Sequence, residues 1–328
     1  MQQKEINSFD MKKNLLLAFC ASLILSAALD AQEVYSPSGT YRFAIKDGQE
    51  LMLDEYAPAP GSRTSLDGKA KPTILFMFGG GFITGERSHP TYQEWFRMLN
   101  AEGYPVITID YRLAMKGVKT KGGISSLKQF RNAVQVAAED LFSAVKYIIG
   151  NKDVLHVDPY NMVLSGSSAG AITVLEADWL LCNGRATEEL PGDFHFAGVM
   201  PFAGAIISTE GVPSYKKAPA PTAFFHGTDD KIVDYNQMQV FGKGIFGSSK
   251  LAKIFRKNGY TYNIFRYDGH SHEIASMFTQ TFPEQIRFLE TNVIRGLDRR
   301  LDATIDDPVI PAPESWMSNR KQLYSNNR

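Results

Sequence analysis

Val163-Leu164-Ser165-Gly166-Ser167-Ser168-Ala169-Gly170-Ala171 is the stretch on which the reading of this chain turns. An apolar, β-rich run from Asn161 to Leu164 leads into it, and residues 171–181 read as a helix leading out. Between them lies G-x-S-x-G, with Gly166 and Gly170 on either side of Ser168. A chain that turns from strand to helix within five residues has no room for side chains at the flanks, so glycine belongs there. The tight turn holds the serine Oγ clear of the backbone, and the helix N-terminus behind it turns N–H groups toward developing negative charge. Ser168 is therefore a candidate nucleophile. Such pentapeptides also arise by chance, because Gly and Ser are common. The strand before and the helix after set this one apart.

Outward from that turn the chain alternates. Period-two patterning over residues 40–46 and 51–56, around Asp47-Gly48, predicts an N-terminal antiparallel hairpin. Residues 57–71 form a Pro/Gly/Ser-rich loop, and residues 73–78 are continuously apolar, as in a strand buried on both faces. A helix over 91–102, a strand over 106–110 and a long helix over 127–149 precede the Ser168 turn. Strands over 196–202 and 222–226 follow it, then a helical region over 240–257, a strand over 262–267 and a closing helix over 282–294. Alternation of this kind predicts an α/β fold with a mostly parallel sheet and helices on both faces. No internal repeat or interdomain linker interrupts it.

Composition sets the class. Apolar residues make up 44% of 328, enough for a large core rather than disorder. Lys plus Arg and Asp plus Glu stand at 35 each, so no charge excess steers the chain onto nucleic acid or an anionic membrane. Residues 1–31 read as an export signal: Met11-Lys12-Lys13, an apolar run over 15–29, and small residues at Ala27, Ala28 and Ala31. Met11 is the alternative start. A membrane anchor is disfavoured because Ser22 and Ser26 interrupt a run already short for a span. Lipidation at Cys20 is disfavoured because it sits mid-run after Phe19. An exported, periplasmic or extracellular protein is expected, with no membrane association after signal removal. Residues 32–297 read as one catalytic domain and residues 298–328 as a polar C-terminal tail, a strap or a frayed end. Beyond the signal, Cys182 is the sole cysteine; a buried apolar role suits it better than a nucleophile's.

A second glycine-rich segment, Phe78-Gly79-Gly80-Gly81-Phe82, ends the buried strand. Its backbone can approach a ligand closely and present N–H groups to an oxyanion. The G-x-x-x-x-G-K-[ST] phosphate loop is absent, and no acidic residue follows at dinucleotide-binding spacing, which disfavours a nucleotide. A serine nucleophile needs a base, and six histidines are present. His89, His156 and His195 lie outside any matching pattern, and His226, ending a strand, reads as structural. His270 and His272 share a loop between the last strand and the last helix, where the order Ser, acid, His puts the base. A metal bound by that His-x-His pair lacks a further ligand cluster, so no metal and no cofactor is expected. The acid falls to Asp229 or Asp230, adjacent in the preceding strand's loop, where a carboxylate would orient the imidazole.

Five segments together resemble the α/β-hydrolase esterases of the hormone-sensitive-lipase and bacterial feruloyl or acetyl-xylan esterase type. They are the Asp47-Gly48 hairpin, Gly79-Gly80-Gly81-Phe82, Asp110-Tyr111-Arg112-Leu113-Ala114, Gly166-Ser167-Ser168-Ala169-Gly170, and His226-Gly227-Thr228-Asp229-Asp230 with Gly269-His270-Ser271-His272. The resemblance spans roughly residues 40–295 and implies the α/β-hydrolase fold. It implies Asp230 as the acid, four residues after His226, and His272 as the base, five after Tyr267, with Ser271 replacing a usual glycine. His270 is the runner-up. It also implies an oxyanion hole from the N–H groups of Gly80, Gly81 and Ala169. The family's usual histidine before the three glycines is Phe78 here, which leaves the setting of that loop open. Residues 115–130 lie where such enzymes vary their pocket walls. The implied activity is hydrolysis of a small-molecule or carbohydrate-linked carboxylic ester, with acetyl or feruloyl esters of plant polysaccharide as candidates. A prolyl-oligopeptidase-type peptidase is the rival enzyme, although only about 40 residues precede the hydrolase pattern. A non-catalytic binding protein on the same scaffold is the rival from another class.

Overall fold

Thr73–Met77 (β3) is five apolar or β-branched residues, every one buried, and a strand covered on both faces belongs at the centre of a sheet. The computed structural model describes residues 35–62, 64–65, 68–119, 123–307 and 310. The proposed export signal and the end of the tail lie outside them. Before β3, Gly39–Lys46 (β1) and Gln49–Tyr56 (β2) pair antiparallel, with Lys46 opposite Gln49. Asp47 and Gly48 make the turn with φ of 52° and 75°, the paired positive values a two-residue hairpin favours. Val106–Ile109 (β4), Met162–Ser167 (β5) and Gly198–Phe202 (β6) are wholly buried strands. Ala205–Ser208 (β7), Thr222–Gly227 (β8), Gln237–Val240 (β9), Lys243–Gly247 (β10), Tyr262–Tyr267 (β11) and Leu301–Ile305 (β12) follow. The main sheet runs β1-β2-β4-β3-β5-β6-β8-β11-β12, and only β2 is antiparallel to its neighbours. A separate three-stranded sheet runs β7-β10-β9.

The helices are Pro90–Ala101 (α1), Gly123–Gly150 (α2), Ala169–Cys182 (α3), Ser248–Asn258 (α4) and Phe282–Phe288 (α5). α1 begins at Pro90 behind a His89 cap whose Nδ1 accepts the Thr91 N–H, a position suited to proline because its missing N–H would lack a helical partner anyway. It buries Tyr92, Trp95, Phe96 and Leu99, the one-face spacing of an amphipathic helix. Trp95 packs on Phe76 of β3 and on Phe278, and Phe278 in turn meets Phe202 of β6. The indole N–H donates to Gln285 Oε1 at 2.7 Å, so this aromatic cluster leaves no polar atom of Trp95 stranded. Truncating Trp95 or Phe202 to alanine would cost about 3–5 kcal/mol. α3 differs: from Ala169 to Leu180 every residue is buried, the signature of a helix covered all round. It lies between the sheet and α2, and Arg131 of α2 pairs with Glu176 of α3 inside that contact.

Four readings of the sequence need correction. The region 240–257 is helical only from Ser248; residues 237–247 are the β9–β10 hairpin, and β7 pairs with it. Its turn is Phe241-Gly242, both at positive φ, and a phenylalanine at that corner hides the usual Asn-Gly or Asp-Gly signal. The closing helix ends as α5 at Phe288 and continues as a wider π turn, Leu289–Ile294. Within residues 298–328, read as a polar tail, Leu301–Ile305 is the last strand of the main sheet, parallel to β11. Its alternating half-buried pattern, with Asp302 paired to Arg266, is that of a short edge strand, which composition alone does not distinguish from loop. The long helix also starts earlier than expected, at Gly123 rather than Leu127.

Candidate active site

The strands β3, β5, β6, β8 and β11 are parallel, so the segments that leave their C-terminal ends share one edge of the sheet. That edge is where open α/β sheets place their chemistry. Gly79–Gly81 follows β3, Ser168 follows β5, Asp230 follows β8 and His272 follows β11.

Ser168 has φ 49° and ψ −109°, a strained setting for a residue with a side chain, worth about 1–3 kcal/mol. Its N–H donates to the Phe202 carbonyl at 2.9 Å and its own carbonyl accepts from Ile172 at 2.9 Å, so the turn is held from both sides. The flanking glycines are needed for close approach. A Cβ on Gly166 would lie 2.4 Å from the Gly170 carbonyl carbon, and one on Gly170 would lie 2.1 Å from the Met77 carbonyl oxygen. Ser167 Oγ donates to the Ala275 carbonyl at 2.7 Å, tying the turn to the short 3-10 segment His272–Ser276.

His272 Nε2 lies 2.8 Å from Ser168 Oγ, and its Nδ1 lies 2.7 Å from Asp230 Oδ2. An ionised carboxylate only accepts, so Nδ1 carries the proton and Nε2 is left to receive one from the serine hydroxyl. Asp230 Oδ1 accepts the Ile232 and Val233 N–H groups at 2.8 and 2.9 Å. Burial alone would raise this carboxyl. The charge of His272 and hydrogen bonds from His226 and His272 outweigh it, holding Asp230 well below the usual carboxylate range. All three residues are buried.

The neighbouring alternatives do other work. His270 Nδ1 pairs with Glu273 Oε1 at 3.0 Å, and its carbonyl accepts the Asp229 N–H at 2.9 Å. These contacts brace the histidine loop against the acid loop. His226, read from sequence as structural, is the second imidazole on Asp230 Oδ2, at 3.1 Å. The four-residue spacing from His226 to Asp230 was its only trace in the sequence. His195 Nδ1 bonds the Asp193 carbonyl, and Cys182 is buried, which pushes its thiol up out of the nucleophilic range. Among the described residues no group of three or more His, Cys, Asp or Glu is arranged to hold a metal ion, and no helix is long and apolar enough to cross a membrane.

The glycine loop abuts the serine turn: a Cβ on Gly79 would lie 2.7 Å from Ser167 Oγ. Gly80 and Gly81 have φ of 117° and 65°, and the Gly80 carbonyl closes the loop by accepting from Ile83 and Thr84. Phe78, where the resembled family has histidine, stacks on Tyr111 with centroids 4.4 Å apart, and the Tyr111 hydroxyl donates to the Phe78 carbonyl at 2.9 Å. An aromatic buttress thus fixes the entry to the loop. Ala169 is the first residue of α3, next to Ser168.

A family model designated BD-FAE matches residues 62–177, a span that holds Gly80, Gly81, Ser168 and Ala169 but ends before Asp230 and His272. Among solved structures, the thermophilic esterase Est2 of the planctomycete Thermogutta terrifontis is 20% identical with a TM-score of 0.58. The match covers 78% of this chain and 92% of that one. The apo form of that esterase matches at 19% identity and TM-score 0.56, over 80% and 97% of the two chains. The chain has the α/β-hydrolase fold. On this fold the turn after β5 and the loops after β3, β8 and β11 supply the residues just described. Lipase 2 of Moraxella sp. (strain TA144) is 25% identical over 264 residues, 77% of this chain and 54% of the relative. The chain thus spans about half the length of that curated relative.

Proposed function

We propose that this α/β-hydrolase is a serine carboxylic ester hydrolase, with Ser168 as nucleophile, His272 as general base and acid, and Asp230 as the orienting carboxylate. The observation that supports it most is the unbroken series Ser168 Oγ, His272, Asp230 at 2.8 and 2.7 Å, in a buried setting with the serine strained outward. Ser168 Oγ attacks the ester carbonyl carbon as its proton passes to His272 Nε2. The carbonyl π electrons move onto oxygen, where N–H groups of Gly80, Gly81 and Ala169 receive the charge. Collapse breaks the bond to the alcohol oxygen, which takes the proton back from His272 and leaves as alcohol. Water, deprotonated by the same imidazole, then releases the acid and restores the serine. Asp230, ionised throughout, stabilises the imidazolium that forms twice in this cycle.

The finer reading is a protein exported to the periplasm or the outside that acts on acetyl or feruloyl esters, including those carried by plant polysaccharide. Its support is the five-segment resemblance and the signal-like residues 11–31. Structures of the Thermogutta esterase with propionate and with butyrate bound make short acyl esters sensible first substrates. The test is a panel of p-nitrophenyl acyl esters, feruloyl esters and acetylated xylan. Hydrolysis of none of them by purified, folded protein would refute the esterase reading. Sequencing the N-terminus of exported material should find a start between about residues 28 and 32; full-length protein kept inside the cell would overturn export.

A further inference from the structure

His226 is wholly buried, and its ring is clamped at both nitrogens. Nε2 faces two acceptors, Asp230 Oδ2 at 3.1 Å and the Val233 carbonyl at 3.0 Å, so it must carry a proton. Nδ1 faces Ser248 Oγ at 2.8 Å. That hydroxyl has one other acceptor, the Gly204 carbonyl, at 3.3 Å. If the hydroxyl donates to Nδ1, the imidazole is neutral; if it donates to Gly204, Nδ1 must also be protonated and the ring charged. The 2.8 Å contact is the better hydrogen bond, and a full charge buried with a carboxylate already shared by His272 is costly. Both considerations select the neutral ring with its proton on Nε2.

The hydrogen bonds then close into a circuit. Ser168 Oγ meets His272, His272 meets Asp230, Asp230 meets His226, and His226 meets Ser248 at the start of α4. Ser248 meets Gly204, two residues beyond Phe202, whose carbonyl receives the Ser168 N–H. Ala203, between them, sits at φ 54° with its N–H on the Phe225 carbonyl. Every station on this path is fixed by a neighbour at each side.

We propose that His226 is a positioning residue of the triad: as a neutral Nε2–H donor it holds Asp230 Oδ2 in register with His272, and Ser248 sets its tautomer. The inference rests on the esterase reading for its kinetic consequences. Facing His226 among the described residues are Asp230, the Tyr235 ring at 5.6 Å, Ser248 and, through the shared carboxylate, His272. Without His226 the carboxylate keeps its two backbone donors on Oδ1 but loses one of its two imidazoles on Oδ2. It can then swing about the Oδ1 anchor, and the His272 Nδ1–H bond lengthens or bends. Substrate contacts are untouched, so the loss falls on turnover rather than on binding.

The experiment compares His226→Phe, His226→Gln and Ser248→Ala with the full wild-type chain, by kinetics on one activated ester and by the low-field proton resonance of the His272 Nδ1–H. His226→Phe keeps the ring volume without the donor and should lower kcat about 10- to 100-fold with KM within about twofold, the range outer-shell partners cost elsewhere. His226→Gln returns an amide N–H toward Oδ2 and should recover a large part of that loss. The low-field resonance should move in His226→Phe, and less in Ser248→Ala. Wild-type kcat and an unmoved resonance in His226→Phe would overturn the proposal. So would equal losses in the Phe and Gln variants that follow thermal stability, since those mark a purely structural residue. Should His226→Phe fail to fold, an unchanged kcat and resonance in Ser248→Ala overturns it instead. The resonance is read without substrate, so it distinguishes failure here from failure of the esterase reading, which would show as no hydrolysis of any panel ester by the folded wild-type protein.

Discussion

Asp178, near the end of α3, and Asp230, in the loop after β8, are 5% and 4% exposed. The same side chain at the same depth behaves in opposite ways. Asp178 Oδ1 has the Ala220 N–H at 3.5 Å and the Cys182 thiol at 4.0 Å. Burial, only partly offset by that amide, pushes its carboxyl from 3.8 up to about 7. Asp230 feels burial too, but the charge of His272 and the hydrogen bonds from His226 and His272 carry it the other way. Depth therefore does not decide the charge of a buried carboxylate; the number and distance of the donors aimed at it do. The consequences for stability have opposite signs. Between about pH 4 and pH 7 the folded chain holds a proton on Asp178 that the unfolded chain has lost, so this group's contribution falls as pH rises through that window. Asp230 contributes stability above the ordinary carboxylate value, and that contribution is lost as pH drops below about 4.

The largest effect expected at the charged end of this comparison is on turnover. Ser168→Ala and His272→Ala should each lower kcat by about 10⁴- to 10⁶-fold, and the double variant hardly further, because the two act as one unit. Steady-state kinetics on an activated ester checks this, and additive losses would separate the pair. Asp230→Asn should cost up to about 10⁴-fold, since an amide can donate to His272 Nδ1 and so stabilise the wrong tautomer. An asparagine variant within tenfold of wild type would show that the negative charge at this end does little.

At the uncharged end the effect is on stability alone. Asp178→Asn keeps an acceptor for Ala220 and removes the cost of ionisation. It should raise thermal stability at pH 8 by no more than about 4 kcal/mol, three pKa units at about 1.4 kcal/mol each, and change little at pH 4. An equal change at both pH values would mean the proton is not the cause. His270→Ala is expected to matter least for turnover. It should leave kcat within a few-fold while costing about 1–3 kcal/mol, because Glu273 loses its imidazole partner. A dead His270→Ala beside an active His272→Ala would exchange the two roles.

The parts legible in the sequence were those with local signals. Glycines flanking Ser168, the buried run of β3 and the Asp47-Gly48 turn each announce a backbone shape that few other residues allow. The β7-β10-β9 sheet was illegible because Ala205–Ser208 is short and the hairpin turns at Phe241-Gly242. β12 was illegible because its partner, β11, supplies the order that its own composition lacks. The choice between Asp229 and Asp230, or His270 and His272, depends on which way each loop turns its side chains. Only the resemblance to known esterases bore on it in the sequence. The geometry brings Ser168, His272 and Asp230 together and turns His270 toward Glu273. Nothing in the one-dimensional pattern marks His226 as a partner of Asp230 beyond its spacing.

Whether Ser168 is the nucleophile is tested by reacting the purified protein with diisopropyl fluorophosphate and locating the adduct by peptide mass spectrometry. One diisopropylphosphoryl group is expected on Ser168 with loss of fluoride, esterase activity falling in step with labelling, and no adduct in Ser168→Ala. Inactivation with the adduct on another residue, or full activity in protein labelled at Ser168, would contradict it.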